Sequence, residues 1–98
     1  MKITVRFFGY TMVVAGLADI ALELREGSTV GDLLEEVGRR HPALVQGQGK
    51  GTGASATALV RDGYMLVSIN RKHLDSPPER APLADGDEVW LLPPVAGG

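Results

Sequence analysis

The sequence predicts an α+β fold in which one main helix packs across a mixed, four- to five-stranded sheet. Three features of the chain carry this prediction. Two early segments alternate between apolar and polar residues, a single amphipathic segment follows them, and two short apolar segments come later. A hairpin, one crossover helix and two later strands, in this order, favour a sheet with the helix on one face.

The first two strands are predicted from strict alternation. Apolar side chains occupy every second position from Lys2 to Phe8, and again from Ile20 to Leu24. This period, together with the β-branched and aromatic residues, is typical of half-buried strands, so the two segments are expected to pair as a hairpin. Residues 9–18 between them are expected to form a loose turn region.

The clearest helix is predicted between Thr29 and Pro42. Apolar residues follow Thr29 at helical spacing, which places them in one stripe along the helix. Thr29 and Asp32 have the spacing of a capping box, with Asp in the place of the usual Glu. Pro42 ends the helix, and His41 just before it is expected to be a capping or surface residue.

The segment from Gln46 to Ala58 alternates glycine with small polar residues. Such a composition cannot bury apolar surface, so a flexible glycine-rich loop is expected. Lys50 among the glycines invites comparison with phosphate-binding loops. The required spacing G-x-x-x-x-G-K-[ST] is absent and no helix pattern opens directly after the segment, so phosphate binding is not predicted here.

Two more strands complete the predicted sheet. Tyr64–Asn70 carries apolar residues on one face, and Glu88–Leu92 follows the turn-forming Asp85-Gly86-Asp87. Ser76–Arg80 is expected to be an exposed loop. With the first and last strands expected to pair in parallel at the centre, the arrangement is the β-grasp, or ubiquitin-like, fold.

The last strand carries apolar side chains on both faces. Val89 and Leu91 are predicted to face the core, which leaves Trp90 and Leu92 on the outer face. A Trp beside a Leu on an outer face is explained either by a partner surface or by a second small core. Arg71, in the turn after the third strand, is a candidate contact for an acidic patch on a partner, and its alternative interpretation is a solvated turn charge.

Composition excludes several classes of function. The net charge is −2 without a basic cluster, which argues against nucleic acid and anionic membrane as partners. No cysteine is present, so disulfides, thiolate metal sites and a catalytic thiol are excluded, and two histidines do not build a His-rich metal site. The sequence shows no signal peptide and no apolar run of membrane-spanning length, so a cytoplasmic protein is expected.

The most informative segment is the tail Pro93-Pro94-Val95-Ala96-Gly97-Gly98, which follows one domain of residues 1–92. The prolines favour extended geometry, and glycines pass through a channel that larger residues would block. Fully extended, the tail spans roughly 20 Å, enough to reach into the active site of another protein. We therefore expect the carboxylate of Gly98, with Gly97 beside it, to be the reactive group.

Five segments of the chain match a known pattern. They are Val5-Arg6-Phe7-Phe8, Thr29-Val30-Gly31-Asp32-Leu33-Leu34, Val67-Ser68-Ile69-Asn70, Leu83-Ala84-Asp85-Gly86-Asp87-Glu88-Val89 and Pro93-Pro94-Val95-Ala96-Gly97-Gly98. With these segments, and over its whole length except residues 46–58, the chain resembles the sulfur carriers of the MoaD/ThiS type. This ubiquitin-like family includes the small subunit of molybdopterin synthase and its relatives.

The resemblance implies a carrier whose catalytic groups are supplied by partner enzymes. It implies that an E1-like adenylyltransferase uses ATP to convert the Gly98 carboxylate into an acyl-adenylate, from which a persulfide sulfur displaces AMP to leave a thiocarboxylate. The chain itself would bind no cofactor and no metal. An accepting enzyme, such as the large subunit of molybdopterin synthase, would take the sulfur. Partner contacts are expected at Trp90, Leu92, Pro93, Pro94, Val95, Ala96 and Arg71.

Other functions stay open on the sequence. The same carrier chemistry serves the synthesis of thiamine and cysteine and the thiolation of tRNA. A ubiquitin-like modifier would instead join Gly98 to lysine side chains of target proteins by isopeptide bonds, because both fates begin with the same adenylate. A plain interaction module would carry the two terminal glycines by chance.

Overall fold

The structure is a computed structural model that describes residues 1–46, 56–61, 63, 65–74 and 78–93. Its strands are β1 (Lys2–Phe7), β2 (Asp19–Glu23), β3 (Leu66–Ile69), β4 (Lys72–His73) and β5 (Glu88–Leu92). Its helices are α1 (Tyr10–Ala15), α2 (Val30–Arg40), α3 (Ala43–Gln46) and α4 (Ala56–Arg61), and a 3-10 turn covers Pro78–Arg80. Within these ranges, every helix is too short or too polar to cross a membrane.

The strands form one mixed sheet in the order β2-β1-β5-β3-β4. Strands β1 and β5 lie parallel at its centre, with Val5 opposite Val89, while β2 and β3 pair with them in antiparallel fashion. The first and last strands therefore meet in the middle of the sheet, as the predicted topology requires. The predicted α+β, ubiquitin-like β-grasp fold is confirmed.

Helix α2 packs its predicted apolar stripe against the inner face of the sheet. The stripe and the inward side chains of the two central strands belong to one buried cluster: Ile3, Val5, Phe7, Val30, Leu33, Leu34, Val37, Val89 and Leu91. Burying a side chain of this size is worth roughly 1.5–3 kcal/mol relative to leaving it exposed. This cluster therefore holds the main helix to the sheet.

Both ends of α2 are capped as predicted. The backbone N–H of Thr29 donates to Oδ2 of Asp32 at 2.9 Å, and the backbone N–H of Asp32 donates to Oγ1 of Thr29 at 3.4 Å. This capping box satisfies donors that have no partner inside the helix. At the other end, His41 is the C-cap residue, and its backbone N–H donates to the carbonyl of Val37 at 2.8 Å.

The prediction of a loose turn at residues 9–18 is wrong, because Tyr10–Ala15 forms helix α1. Gly9, with a φ of 56°, turns the chain directly from β1 into the helix, and Gly16 ends the helix in the left-handed conformation. A helix of this length without charged residues has little stability of its own. Its tertiary contacts, described below, hold it in place.

The predicted bounds of the glycine-rich loop, residues 46–58, are wrong at both ends. Gln46 is the last residue of α3, and α4 begins at Ala56, so a helix does follow the glycines. Residues 47–55 lie outside the described residues. Helix α4 buries Ala56, Leu59 and Val60, but these few positions are too short a pattern to predict a helix.

At residues 76–80, where an exposed loop is predicted, the part that the structure describes has a regular conformation. Residues 78–80 form the 3-10 turn, which packs against α2 and α4. Gly31 allows this approach, because a Cβ at this position would lie only 3.0 Å from the carbonyl oxygen of Glu79. Because Gly31 has no side chain, the 3-10 turn can contact the backbone of α2.

The third strand is shorter than predicted. It begins at Leu66, while Tyr64 lies outside the described residues. Met65 and Val67 are buried and Ile69 is partly buried against the core, so the predicted inward face is confirmed.

Candidate functional site

Four of the predicted site residues, Arg71, Trp90, Leu92 and Pro93, lie in the described part of the chain. The remaining predicted residues lie outside it: Pro94, Val95, Ala96, Gly97 and Gly98. Trp90 and Leu92 belong to β5, and Pro93 follows its last residue. We call Leu91–Pro93 the tail root, because the predicted tail continues from it.

Trp90 lies on the outer face of the sheet, as predicted, while its neighbours in the strand are buried. Its ring is half-buried against Phe8, with ring centroids 4.7 Å apart and an angle of 50° between the ring planes. The guanidinium carbon of Arg6 lies 5.7 Å from the centroid of Phe8, and that of Arg71 lies 5.8 Å from the centroid of Trp90. We call these four side chains the outer-face cluster, in which an aromatic pair is flanked by two cations.

The outer-face cluster bears on the two interpretations of the outward tryptophan. Phe8 and Arg71 give the indole packing partners, as the second small core requires. Leu92 is also half-buried, and it lies opposite Leu66 of the neighbouring strand. The partner contact of Trp90, Leu92 and Arg71 stays a prediction.

Glu88 lies beside the cluster, two residues before Trp90 on the same face of β5. The indole N–H of Trp90 is buried and makes no hydrogen bond of regular geometry within the described ranges. Its closeness to the carboxylate is nevertheless the main cause that lowers the pKa of Glu88. Arg6, whose Nη1 lies 3.4 Å from Oε2 of Glu88, lowers this pKa further. The carboxylate therefore remains ionised and partly offsets the two cations.

Arg71 reaches the indole because the turn after β3 is left-handed. Asn70 and Arg71 have φ values of 50° and 70°, a conformation that costs an ordinary residue roughly 1–2 kcal/mol. The Asn70 side chain offsets this cost, because its amide donates to Oδ1 of Asp87 and its oxygen accepts from the backbone N–H of Glu88, both at 3.0 Å. These bonds fix the turn to the start of β5. The sequence pointed to Arg71 as a candidate contact, and to Asn70 only as the last residue of the matching segment Val67-Ser68-Ile69-Asn70.

The first turn of α1 holds the tail root in place through Thr11. Thr11 is 1% exposed and is the one buried polar side chain in the described ranges. Its hydroxyl lies 2.9 Å from the carbonyl oxygen of Leu91 and 2.7 Å from that of Phe8, and it accepts the backbone N–H of Phe8 at 2.9 Å. One hydroxyl proton serves the two carbonyls in alternation. Thr11 therefore connects α1 and the end of β1 to the tail root.

Gly9 is the second residue that shapes the tail root. A Cβ at Gly9 would lie 3.2 Å from Cγ of Pro93, and the φ of 56° is one that residues with side chains rarely adopt. Glycine therefore suits both the turn and the close approach of the proline. Sequence reasoning missed Gly9 and Thr11. The available signal was their place directly after the first strand, whose end must lie beside the end of its parallel neighbour.

The chemistry available around the tail root is that of binding and orientation. The described part of the chain contains no group of three or more His, Cys, Asp or Glu side chains that could hold a metal ion. The surrounding side chains are mainly apolar, aromatic or cationic, together with the buried hydroxyl of Thr11 and the carboxylate of Glu88. Such a surface suits contact with another protein.

Comparison with known proteins places the whole chain among small carriers and modifiers. The sequence model of the ThiS family matches residues 5–98. The molybdopterin synthase sulfur carrier subunit of Chlamydomonas reinhardtii is 31% identical over 101 residues, and the small archaeal modifier protein 3 of Haloferax volcanii is 31% identical over 105 residues. Each alignment covers 100% of this chain and 100% of the relative.

Solved structures share the fold. SAMP1 from Haloferax volcanii has a TM-score of 0.78 at 26% identity, with 100% of both chains covered. A chain in the complex of subunits 1 and 2 of the molybdopterin-converting factor from Helicobacter pylori has a TM-score of 0.53 at 25% identity, again with 100% of both chains covered. Because the family match extends over residues 5–98, this chain belongs to the ThiS family, a family of small ubiquitin-like sulfur carriers and protein modifiers.

Proposed function

We propose that this protein is a sulfur carrier whose Gly98 is adenylated and then converted to a thiocarboxylate, and that it serves as the small subunit of a molybdopterin synthase. The observation that carries the proposal is the end-to-end match to a molybdopterin synthase sulfur carrier subunit. The family match also runs through Gly97 and Gly98, the two residues on which the proposed chemistry depends.

The tail carboxylate needs activation before it can accept sulfur, because an α-carboxyl group is ionised at neutral pH and is then a poor electrophile. In the proposed first step, an oxygen of the Gly98 carboxylate attacks the α-phosphorus of ATP and pyrophosphate leaves. In the second, the terminal sulfur of a persulfide attacks the acyl carbon and AMP leaves. A thiol then reduces the acyl disulfide, which releases the thiocarboxylate and forms a new disulfide between the thiols.

The catalytic groups for these steps are proposed to lie on partner enzymes. The relatives of this chain are small carriers and modifiers. We assign the binding of ATP to an E1-like adenylyltransferase and the use of the sulfur to a synthase large subunit. A complex of two subunits of the molybdopterin-converting factor, in which one chain is similar to this one, supports a partner of the second kind.

The geometry of the tail root and of the outer-face cluster supports this division of labour. Gly9 and Thr11 fix the direction in which the chain leaves the sheet at Pro93. We propose that Trp90, Leu92 and Arg71 contact a partner while residues 94–98 enter its active site. An apolar centre beside cationic groups fits a partner surface that places carboxylates around an apolar contact.

A second candidate function is protein modification. The similar proteins include small archaeal modifier proteins, found both by sequence and by structure. In this function the adenylated Gly98 would acylate a lysine side chain of a target protein, with AMP as the leaving group. The two functions share the first step and differ in the nucleophile that follows.

The decisive experiment follows the intact mass of the protein. We expect that incubation with ATP, the adenylyltransferase of the same organism, a persulfide donor and a thiol reductant adds the mass difference between one sulfur and one oxygen. A chain without Gly98 is the matched control, and it should keep its circular dichroism spectrum and gain no mass. Addition of the synthase large subunit and its sulfur-free pterin substrate should then restore the original mass.

The outcomes separate the two functions. Conjugates on other proteins, without the sulfur adduct, would favour the modifier. No change of mass in the intact chain would overturn the carrier proposal, and a full mass gain without Gly98 would overturn the assignment of the tail. A stable adduct that the pterin substrate does not discharge would reject the molybdopterin pathway and keep the carrier.

A further inference from the structure

Helix α1 exposes apolar side chains in an unusual concentration. Among the residues that the structure describes, the exposed large hydrophobic side chains are Tyr10 (46%), Met12 (40%), Val13 (74%) and Leu17 (42%). Three of them lie in α1 and Leu17 follows the C-cap residue Gly16, and the helix carries no charged residue. We call these four residues the α1 patch. Scattered exposed apolar residues are normal in proteins, but a contiguous group of them marks an interaction surface.

The α1 patch lies next to the tail root. Within the same helix turn, the hydroxyl of Thr11 lies 2.9 Å from the carbonyl oxygen of Leu91. Gly9, directly before the helix, approaches Pro93 closely enough that a Cβ would lie 3.2 Å from its Cγ. One side of this short helix therefore holds the tail root, and the α1 patch is exposed on the same helix.

The length of the tail decides what can cover the patch. Residues 94–98 extend at most about 18 Å beyond Pro93, and α1 itself is only about 9 Å long. An enzyme that acts on the Gly98 carboxylate must therefore approach the tail root and, with it, the α1 patch. This step rests on the proposed function of the tail.

We propose that the α1 patch is a docking surface for the adenylyltransferase that activates Gly98, and that this enzyme presents an apolar, uncharged surface beside the channel that receives the tail. Contact at the patch orients the carrier while the tail enters. The outer-face cluster, with its two arginines, offers a polar contact on the sheet, whereas the α1 patch offers an apolar one. The interaction would be made equally in the ground state and in the transition state, so its loss raises KM and leaves kcat unchanged.

The test is a double variant, Met12→Gln with Val13→Thr, which keeps side-chain size and removes apolar surface. In pyrophosphate exchange with the adenylyltransferase of the same organism, we expect the KM for the carrier to rise about tenfold with kcat unchanged. Glu35→Gln is the matched control, because Glu35 is exposed on α2, and it should leave both constants unchanged. Both variants should keep the thermal midpoint of the wild type, since the substituted side chains are exposed.

The measurements separate this proposal from the function on which it rests. If the wild-type chain supports exchange and the double variant has the same KM, the docking proposal is overturned and the carrier function stands. If the wild-type chain supports no exchange, the proposed function itself fails. If light scattering shows a dimer for the wild-type chain and a monomer for the double variant, the patch is an interface with a second copy of this chain. This result would overturn the proposal.

Discussion

Thr11 joins three pieces of backbone through one hydroxyl group. It accepts the N–H of Phe8 and lies within hydrogen-bond distance of the carbonyl oxygens of Phe8 and Leu91. Because the Thr11 side chain is only 1% exposed, water cannot replace the hydroxyl group in a variant that lacks it. The backbone groups around it keep one backbone hydrogen bond each, because the N–H of Phe8 also donates to the carbonyl of Leu91 at 3.2 Å and the N–H of Thr11 donates to the carbonyl of Phe8 at 3.1 Å. Removing the hydroxyl therefore loses the one bond that it accepts and the one that it donates, each worth about 0.5–1.5 kcal/mol.

Replacing Thr11 with Val keeps the branched shape and removes the hydroxyl. We expect the free energy of unfolding to fall by about 1–3 kcal/mol, measured by urea denaturation with Trp90 fluorescence as the signal. Thr4→Val is the control, because Thr4 is exposed on β1, and it should change stability by less than about 0.5 kcal/mol. Equal losses in the two variants would contradict the role of the Thr11 hydroxyl.

Glu88 gives the fold a defined dependence on pH. Its pKa is lowered from the ordinary value of 4.5, first by the indole N–H of Trp90 and also by Arg6. The folded state therefore binds fewer protons than the unfolded state, and the stabilisation is present above about pH 4.5 and lost as the pH falls through the lowered pKa. Glu88→Gln should lose less stability between pH 7 and about pH 3 than the wild type. Identical losses in urea titrations at the two pH values would refute this.

The sequence located one part of the site and not the other, for reasons that lie at the residue scale. Alternation along a strand dictates the faces of Trp90 and Leu92, so their positions followed from local pattern alone. The contacts of Thr11 with the tail root join residues 80 positions apart, and nothing local in a Gly-x-Thr segment specifies such a pairing. The φ values of Asn70 and Arg71 depend in the same way on distant hydrogen bonds.

At the scale of elements, the sequence predicts what is long and periodic. Helix α2 combines an apolar stripe with a capping box, and its bounds agree with the prediction. Helices α1 and α4 have six residues each, too few for a helical period to stand out from chance. Such helices form because the surrounding fold buries one side of them, and this information is spread over the whole chain.

Helix α4 offers a direct test of this view. Leu59 is 4% exposed and belongs to the same buried cluster as α2 and the sheet. Leu59→Ala should lower the free energy of unfolding by about 2–4 kcal/mol. Arg61→Gln, at an exposed position of the same helix, should change it by less than about 0.5 kcal/mol. A Leu59 variant as stable as the Arg61 variant would show that α4 does not contribute to the core.

At the scale of the whole molecule, the central parallel pair makes the fold depend on both the first and the last strand of the chain, β1 and β5. Strand β5 lies between β1 and β3, and it supplies the fully buried Val89 and Leu91. Without it, the sheet would divide into two hairpins, and isolated hairpins are at best marginally stable.

Two truncations test this dependence. A chain of residues 1–93 should keep the wild-type circular dichroism spectrum and a cooperative thermal transition, because it retains the whole sheet. A chain of residues 1–87 should show neither, because it lacks β5. Cooperative unfolding of the shorter chain would mean that the central pair is dispensable.

The pairing of β5 on both sides has a mechanical consequence. An enzyme that holds the body of the protein and pulls on its tail applies force along β5. The hydrogen bonds from β5 to β3 lie at right angles to this force, and those to its parallel neighbour β1 are slanted across it. The bonds of both ladders then share the load, whereas a strand peeled from the edge of a sheet would lose them one after another. The tail thus continues from the strand at which the sheet best resists shear, and the protein can be pulled by the C-terminal end, where we propose the chemistry to occur, without being unfolded.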